Sequence, residues 1–115
     1  MDCIFCKLAS GLIETQCIYE DDKVFAFKDM APCAPIHYLF IPKEHIESLQ
    51  AANDSQIEDL SYIFKAIKKV AERDGFADKG YRIVNNIGRD GNQSVPHMHF
   101  HVLAGEPIRF KGFDN

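Results

Sequence analysis

Apolar residues in this chain recur with a period of two in some stretches and between three and four in another, and that change of period predicts the elements. Cys17-Ile18-Tyr19-Glu20 and Val24-Phe25-Ala26-Phe27 read as two strands joined by a hairpin turn at Asp21-Asp22-Lys23. Pro32, Pro35 and Pro42 bracket a third strand, Ile36 to Ile41. Ile57, Leu60, Ile63, Phe64, Ile67, Val70 and Ala71 then form a one-sided stripe at helical spacing, which suits a long helix lying across a sheet. Asn53-Asp54-Ser55 supplies candidates for its N-cap, with Ser55 and Glu58 at capping-box spacing, and Gly75 stops it. Asp59, Lys65, Lys68, Lys69 and Glu72 fall on the opposite, solvated face. Tyr81 to Asn86 predicts a fourth strand and the run from His97 a fifth, while Cys3 to Leu8 opens a short helix ended by Gly11. The tail from Glu106, with Phe110 and Phe113, has no regular pattern. The fold class expected is α+β, an antiparallel sheet of about five strands with one long and one short helix.

Composition narrows this picture in three ways. A chain of 115 residues, 46% of them hydrophobic, sustains one core, so residues 1–115 are expected to form a single domain. Thirteen basic and seventeen acidic residues leave a net charge of −4 with no basic run to track a phosphate backbone, so bulk nucleic-acid binding is disfavoured. No apolar segment approaches the ~20 residues that span a bilayer, and Met1-Asp2-Cys3 lacks the basic and apolar regions of a secretory signal. The expectation is a cytoplasmic protein without a membrane partner. Four cysteines in a reducing compartment more often bind metal as a close pair than form disulfides. Cys3-Ile4-Phe5-Cys6 is such a pair, although alone it fits redox chemistry, half of a zinc site, or two buried thiols equally well. Cys17 and Cys33 lie outside that pattern.

The strongest chemical signal is His97-Met98-His99-Phe100-His101-Val102. Three of the chain's five histidines fall within five residues, alternating with large apolar side chains. On a strand the imidazoles line one face and Met98, Phe100 and Val102 the other, which separates a working side from a buried side. Upstream, Asn86, Gly91, Gln93 and Ser94 provide turn-formers, amides and a hydroxyl, the composition of an anion pocket. Phe27 and Asp29, two apart, face one way and present a ring and a carboxylate to one ligand, as suits a nucleoside. Pro96 restricts Val95 to extended conformations and removes one N–H from the loop.

This run matches the signature of the histidine triad superfamily, His-φ-His-φ-His-φ-φ with φ apolar, and Asn86, Gly91 and Gln93 sit at that family's spacing. Further blocks resemble the branch of histidine triad nucleotide-binding proteins: Tyr19-Glu20-Asp21-Asp22, Ala26-Phe27-Lys28-Asp29, Ala34-Pro35-Ile36-His37, Ile41-Pro42-Lys43-Glu44-His45-Ile46 and Gly80-Tyr81-Arg82. The resemblance implies a purine nucleoside phosphoramidase. Such an enzyme cleaves the P–N bond of nucleoside 5′-monophosphoramidates through a covalent nucleotidyl-histidine on His99. Alternatives within and beyond the family are a dinucleoside polyphosphate hydrolase and a non-catalytic nucleotide-binding or interaction protein. His101 and His37 are implied to orient His99 and move its protons, and Ser94 Oγ with the N–H groups of Ser94 and Val95 to hold phosphate, assisted by Asn86. Ile4, Phe5, Leu8, Phe27 and Met30 are implied to enclose a purine base, and Asp29 to bind the ribose. Cys3, Cys6, His45 and His97 are implied to hold a structural zinc ion, with no organic cofactor. The family also implies a homodimer in which the long helix and a strand join two sheets into one. The chain has no Trp, whereas phosphoramidase-type relatives often carry one in a tail that shapes the partner's pocket.

Overall fold

The computed structural model describes residues 3–113. In chain order the elements are α1 (Ile4–Ala9), β1 (Cys17–Glu20), β2 (Val24–Lys28), β3 (Ile36–Pro42), α2 (Asp54–Arg73), β4 (Arg82–Val84) and β5 (Phe100–Ala104). The strands form one antiparallel sheet in the order β1-β2-β3-β5-β4. The expected α+β architecture, with one long and one short helix, is the one observed.

Strand alternation divides the core in two. Val24 and Ala26 of β2, Tyr38 and Phe40 of β3, and Phe100, Val102 and Ala104 of β5 pack toward α2, meeting Ile63, Ala66, Ile67, Val70 and Ala71. Phe25, Phe27, Leu39 and Ile41 point the other way and pack with Cys3 and Phe5 around α1. Covering both faces explains why Val24 through Phe27 are buried without a break. Met98 lies in the α2-side core while His97 and His99 are buried away from it, so the triad's alternation sorts its residues as the strand period requires.

Several boundaries differ from expectation. Of the N-cap candidates of α2 the one used is Asn53, as the sequence allowed, but its side chain accepts from the Gln56 N–H while Gln56 Oε1 accepts from the Asn53 N–H, so the capping box lies on that pair and not on Ser55 and Glu58. Gln56 also donates to a Glu44 carboxylate at 2.7 Å, a tertiary contact that favours this frame. Ile57 and Phe64 are 39% and 47% exposed, so the buried stripe is narrower than the apolar pattern, with Ala66 taking a central place in it. Gly75, at φ +81°, follows the C-cap Asp74 and ends the helix as expected. β4 stops at Val84 because the Asn85 side chain, rather than the backbone ladder, bonds the His99 carbonyl at 2.8 Å. β5 begins at Phe100 rather than at His97. Upstream of it Pro96 offers no N–H, and the Met98 N–H turns to the Ile46 carbonyl outside the sheet. Among the described residues no helix is long and apolar enough to cross a membrane.

Candidate active site and metal-binding group

The working face of β5 meets α1 and the loop before His99, and the hydrogen bonds there settle which nitrogen of each imidazole is free. His97 Nε2 stands 2.8 Å from the Pro42 carbonyl oxygen, which only accepts, so Nε2 carries the proton and Nδ1 the lone pair. That lone pair faces Cys3 Sγ at 3.3 Å and Cys6 Sγ at 3.5 Å, and His45 Nδ1 lies 3.3 Å from Cys6 Sγ. Cys3 is held there as the N-cap of α1, accepting from the Cys6 N–H. The four donor atoms all lie within 4.8 Å of one another. Tetrahedral bonds of about 2.3 Å to sulfur and 2.0 Å to nitrogen require S···N separations of roughly 3.5 Å, so the set fits a zinc ion in chemistry and spacing. Burial and the neighbouring Cys3 sulfur push the Cys6 thiol up to about 11.

His99 is buried and bonds through Nδ1 to the His97 carbonyl oxygen at 2.8 Å. The carbonyl accepts, so Nδ1 carries the proton and Nε2 presents a lone pair. The Phe5 ring stands edge-on to it with centroids 5.1 Å apart, and the His101 ring is 5.2 Å away. His101 Nδ1 is 2.9 Å from His37 Nε2, and that same His37 nitrogen is 3.4 Å from Asp29 Oδ2. Burial, with the neighbouring His99 and His37 against it, lowers His101 to about 4, and burial lowers His37 despite the Asp29 carboxylate. His97 is likewise lowered to about 4 by burial. His37, His97 and His101 are thus neutral near pH 7, able to serve as lone-pair donors or hydrogen-bond donors and not as fixed cations.

Those depressed values carry a stability consequence. A histidine at its ordinary 6.5 when unfolded and about 4 when folded binds more protons in the unfolded chain between these limits, so its stabilising contribution is complete above about 6.5 and lost as pH falls toward 4. Stability should therefore fall between pH 7 and pH 5, by on the order of 1 kcal/mol for His101 after allowance for partial exposure, and the denaturation midpoint with it. A midpoint in urea that does not change over that range contradicts the neutral-ring assignment.

The loop before the triad is built mainly from its own amides. Asn86 Nδ2 donates to the Gly91 carbonyl at 2.8 Å, Gln93 Oε1 accepts from the Gly88 N–H, and Gln93 Nε2 donates to the Glu47 and Val95 carbonyls. A Cβ at Gly91 would collide with the Ile87 carbonyl, so only glycine fits. Asn86, Gly91 and Gln93, expected to bind ligand, thus shape the loop here. Ser94 is exposed and Val95 half-buried, and among the described residues the N–H groups of both donate to no other protein group. Along the base-facing wall Phe5 and Phe27 pack edge-on at 5.4 Å, with Phe25 and Leu8 beside them. Asp29 is partly buried and Ile4 exposed. Met30 is 96% exposed, which makes it a rim residue within one chain and not a wall. Asn85, Pro42 and Ile46, whose amide or carbonyl groups position the triad backbone and His97, were not apparent from the sequence; an Asn pair at a strand end was the one available signal.

Against this geometry, a family model described as "Scavenger mRNA decapping enzyme C-term binding" matches residues 2–111. Protein HitA of Neisseria gonorrhoeae is 38% identical over 93% of this chain and 98% of its own length, and a HIT-like protein of Chlamydia muridarum is 42% identical over 91% and 82%. Among solved structures, a histidine triad protein from Clostridium difficile superposes with a TM-score of 0.93 at 46% identity, covering 96% of each chain. A HIT family hydrolase from Legionella pneumophila gives 0.91 at 40% identity over 96% and 98%.

Proposed function

The chain belongs to the histidine triad superfamily, and from that premise we propose that it is a nucleotide-binding hydrolase that cleaves purine nucleoside 5′-monophosphoramidates. The observation that carries this reading is the His99 Nδ1 to His97 carbonyl bond, which leaves Nε2 of a buried ring as the one nitrogen of the triad not committed to a thiol, a backbone carbonyl or His37 and so available to attack. His99 Nε2 attacks the α-phosphorus, forming a P–N bond to imidazole as the bond to the amine breaks. His101, which accepts from His37 at Nδ1, holds its own proton on Nε2 and hydrogen-bonds the leaving nitrogen, which takes a proton from water as its bond to phosphorus breaks. The hydroxide left by that water attacks the nucleotidyl-histidine, breaking its bond to His99 and releasing nucleotide. Ser94 Oγ and the N–H groups of Ser94 and Val95 hold the phosphate oxygens as charge builds. Phe5, Leu8 and Phe27, with Ile4 and Met30 at the rim, receive the base, and Asp29 the ribose hydroxyls. Asn86, Gly91 and Gln93 keep the loop in shape.

Cys3, Cys6, His45 and His97 are the residues that would hold zinc. A closed four-ligand set supplies a cross-link between α1, the β3–α2 connection and the triad, not an open position for substrate. Four free cysteines suit a reducing, cytoplasmic setting. The dimer that the family implies is supported by the position of β4 at the edge of the sheet, where Ile83 is exposed, and by Ile57, Tyr62 and Phe64 exposed on α2. Sedimentation should give twice the chain mass; a single-chain mass at micromolar concentration argues against the joined sheet.

Substrate class is tested by comparing adenosine 5′-phosphoramidate with a diadenosine polyphosphate. A proton donor beside the leaving group favours the amine, whose departure needs protonation, so kcat/KM should be at least about tenfold higher for the P–N substrate. A faster polyphosphate reaction moves the protein to the P–O–P branch. AMP binding with no turnover of either makes it a binding module.

A further inference from the structure

Asp29, His37 and His101 bring their ligand atoms as close together as the cysteine and histidine set does, within 4.8 Å. On spacing alone this second group is another metal site. Its protons say otherwise. In His97 the backbone partner is a carbonyl, so the proton stays on the bonded nitrogen and the other nitrogen is a ligand. In His37 the backbone partner is the reverse: the Cys33 N–H points at Nδ1, 3.1 Å away. An amide N–H only donates. Nδ1 must therefore carry the lone pair, and the last proton of the neutral ring sits on Nε2. A metal ion at Nε2 would require loss of that proton as well, leaving an imidazolate. A protonated ring would set Nδ1–H against the Cys33 N–H.

The same constraint propagates. His37 Nε2–H donates to His101 Nδ1 at 2.9 Å, with Asp29 Oδ2 at 3.4 Å as a weaker second acceptor. His101 accepts at Nδ1 and so holds its proton on Nε2. We propose that the backbone N–H of Cys33 is a positioning donor that sets this proton order, committing His37 and His101 to hold protons, with Asp29 as an acceptor, rather than a metal and presenting the Nε2–H of His101 to the leaving group. The catalytic consequence rests on the phosphoramidase reading; the proton order does not. The Cys33 side chain has no part in it, since the thiol is exposed.

The test compares two residues at position 33 that share a side chain and differ by one atom of backbone. Cys33→Ala keeps the N–H, and lactic acid introduced at the same position by nonsense suppression replaces the amide with an ester. Long-range ¹H–¹⁵N correlation of the imidazole nitrogens reads the tautomer, and adenosine 5′-phosphoramidate hydrolysis reads the chemistry. The wild type and Cys33→Ala should show His37 as Nε2–H with equal turnover. The ester should populate Nδ1–H, because two acceptors now face each other, and lose about tenfold or more in kcat with KM within about twofold. His37 found as Nδ1–H in the wild type overturns the proposal without any variant having to fold. So does an ester protein that keeps Nε2–H, one that changes tautomer with kcat intact, or a Cys33→Ala variant as slow as the ester. If the tautomer changes as stated but wild type and Cys33→Ala both fail to hydrolyse the substrate, the phosphoramidase reading falls and the proton order stands.

Discussion

His99→Ala should reduce nucleotide release from adenosine 5′-phosphoramidate by at least about 10⁴-fold, because it removes the group that forms the covalent bond. No neighbour can substitute. His97 Nδ1 faces two thiols, and His101 Nδ1 is taken by His37. Affinity for AMP should change only several-fold, since base, ribose and phosphate contacts lie elsewhere. The fold should persist: His99 is on the α1 side of the sheet, the larger core lies on the other, and the cavity costs about 1–3 kcal/mol. Single-turnover kinetics with parallel AMP titration checks this. A loss below tenfold would mean that water attacks the phosphorus directly and that the triad only holds phosphate.

The second large effect concerns zinc and falls on stability. Replacing Cys3 and Cys6 together with serine should take metal content from one zinc per chain to none. It should also lower the thermal midpoint by about 10 °C, as expected for a loss of about 3 kcal/mol in a chain of this size. The cost is smaller than for a zinc finger because the sheet and α2 bury a core of their own. It is still large because the cysteines lie near one end of the chain and the two histidines far from it in sequence, so an ion held by all four would close long loops of the unfolded state. Turnover should fall only several-fold: the Pro42 carbonyl keeps hold of His97 Nε2, and the His97 carbonyl keeps hold of His99. Metal analysis and calorimetry decide it. A wild type with no zinc, and a midpoint indifferent to chelator, would leave Cys3 and Cys6 as ordinary thiols.

Much of the site was legible because strand geometry has a period of two. Once His97, His99 and His101 were assigned to one face, Met98, Phe100 and Val102 had to enter the core, and they do. The meeting of Cys3 and Cys6 with His45 and His97 is a different kind of fact. It joins cysteines to histidines 39 to 94 positions away, and only the family resemblance pointed to it. Local rules offered Asn53 as a cap of α2 but misplaced its capping box, for a reason that can be named. Asn53 with Gln56 and Ser55 with Glu58 satisfy the same spacing two residues apart, and the contact between Gln56 and Glu44 favours one. Asn85 escaped notice because Asn86, its neighbour, carries the family spacing, whereas it is Asn85 that bonds the His99 carbonyl. The Cys33 N–H was invisible for a simpler reason: a backbone donor leaves no mark on residue type.

The measurement that bears most directly on the account is the intact mass of the protein a few milliseconds after mixing with adenosine 5′-phosphoramidate, before the second step empties the site. The account predicts one added adenylyl group per chain, located on His99, decaying at the rate at which AMP appears. AMP release from unmodified protein at every time point would contradict it, because the lone pair on His99 would then have no covalent role.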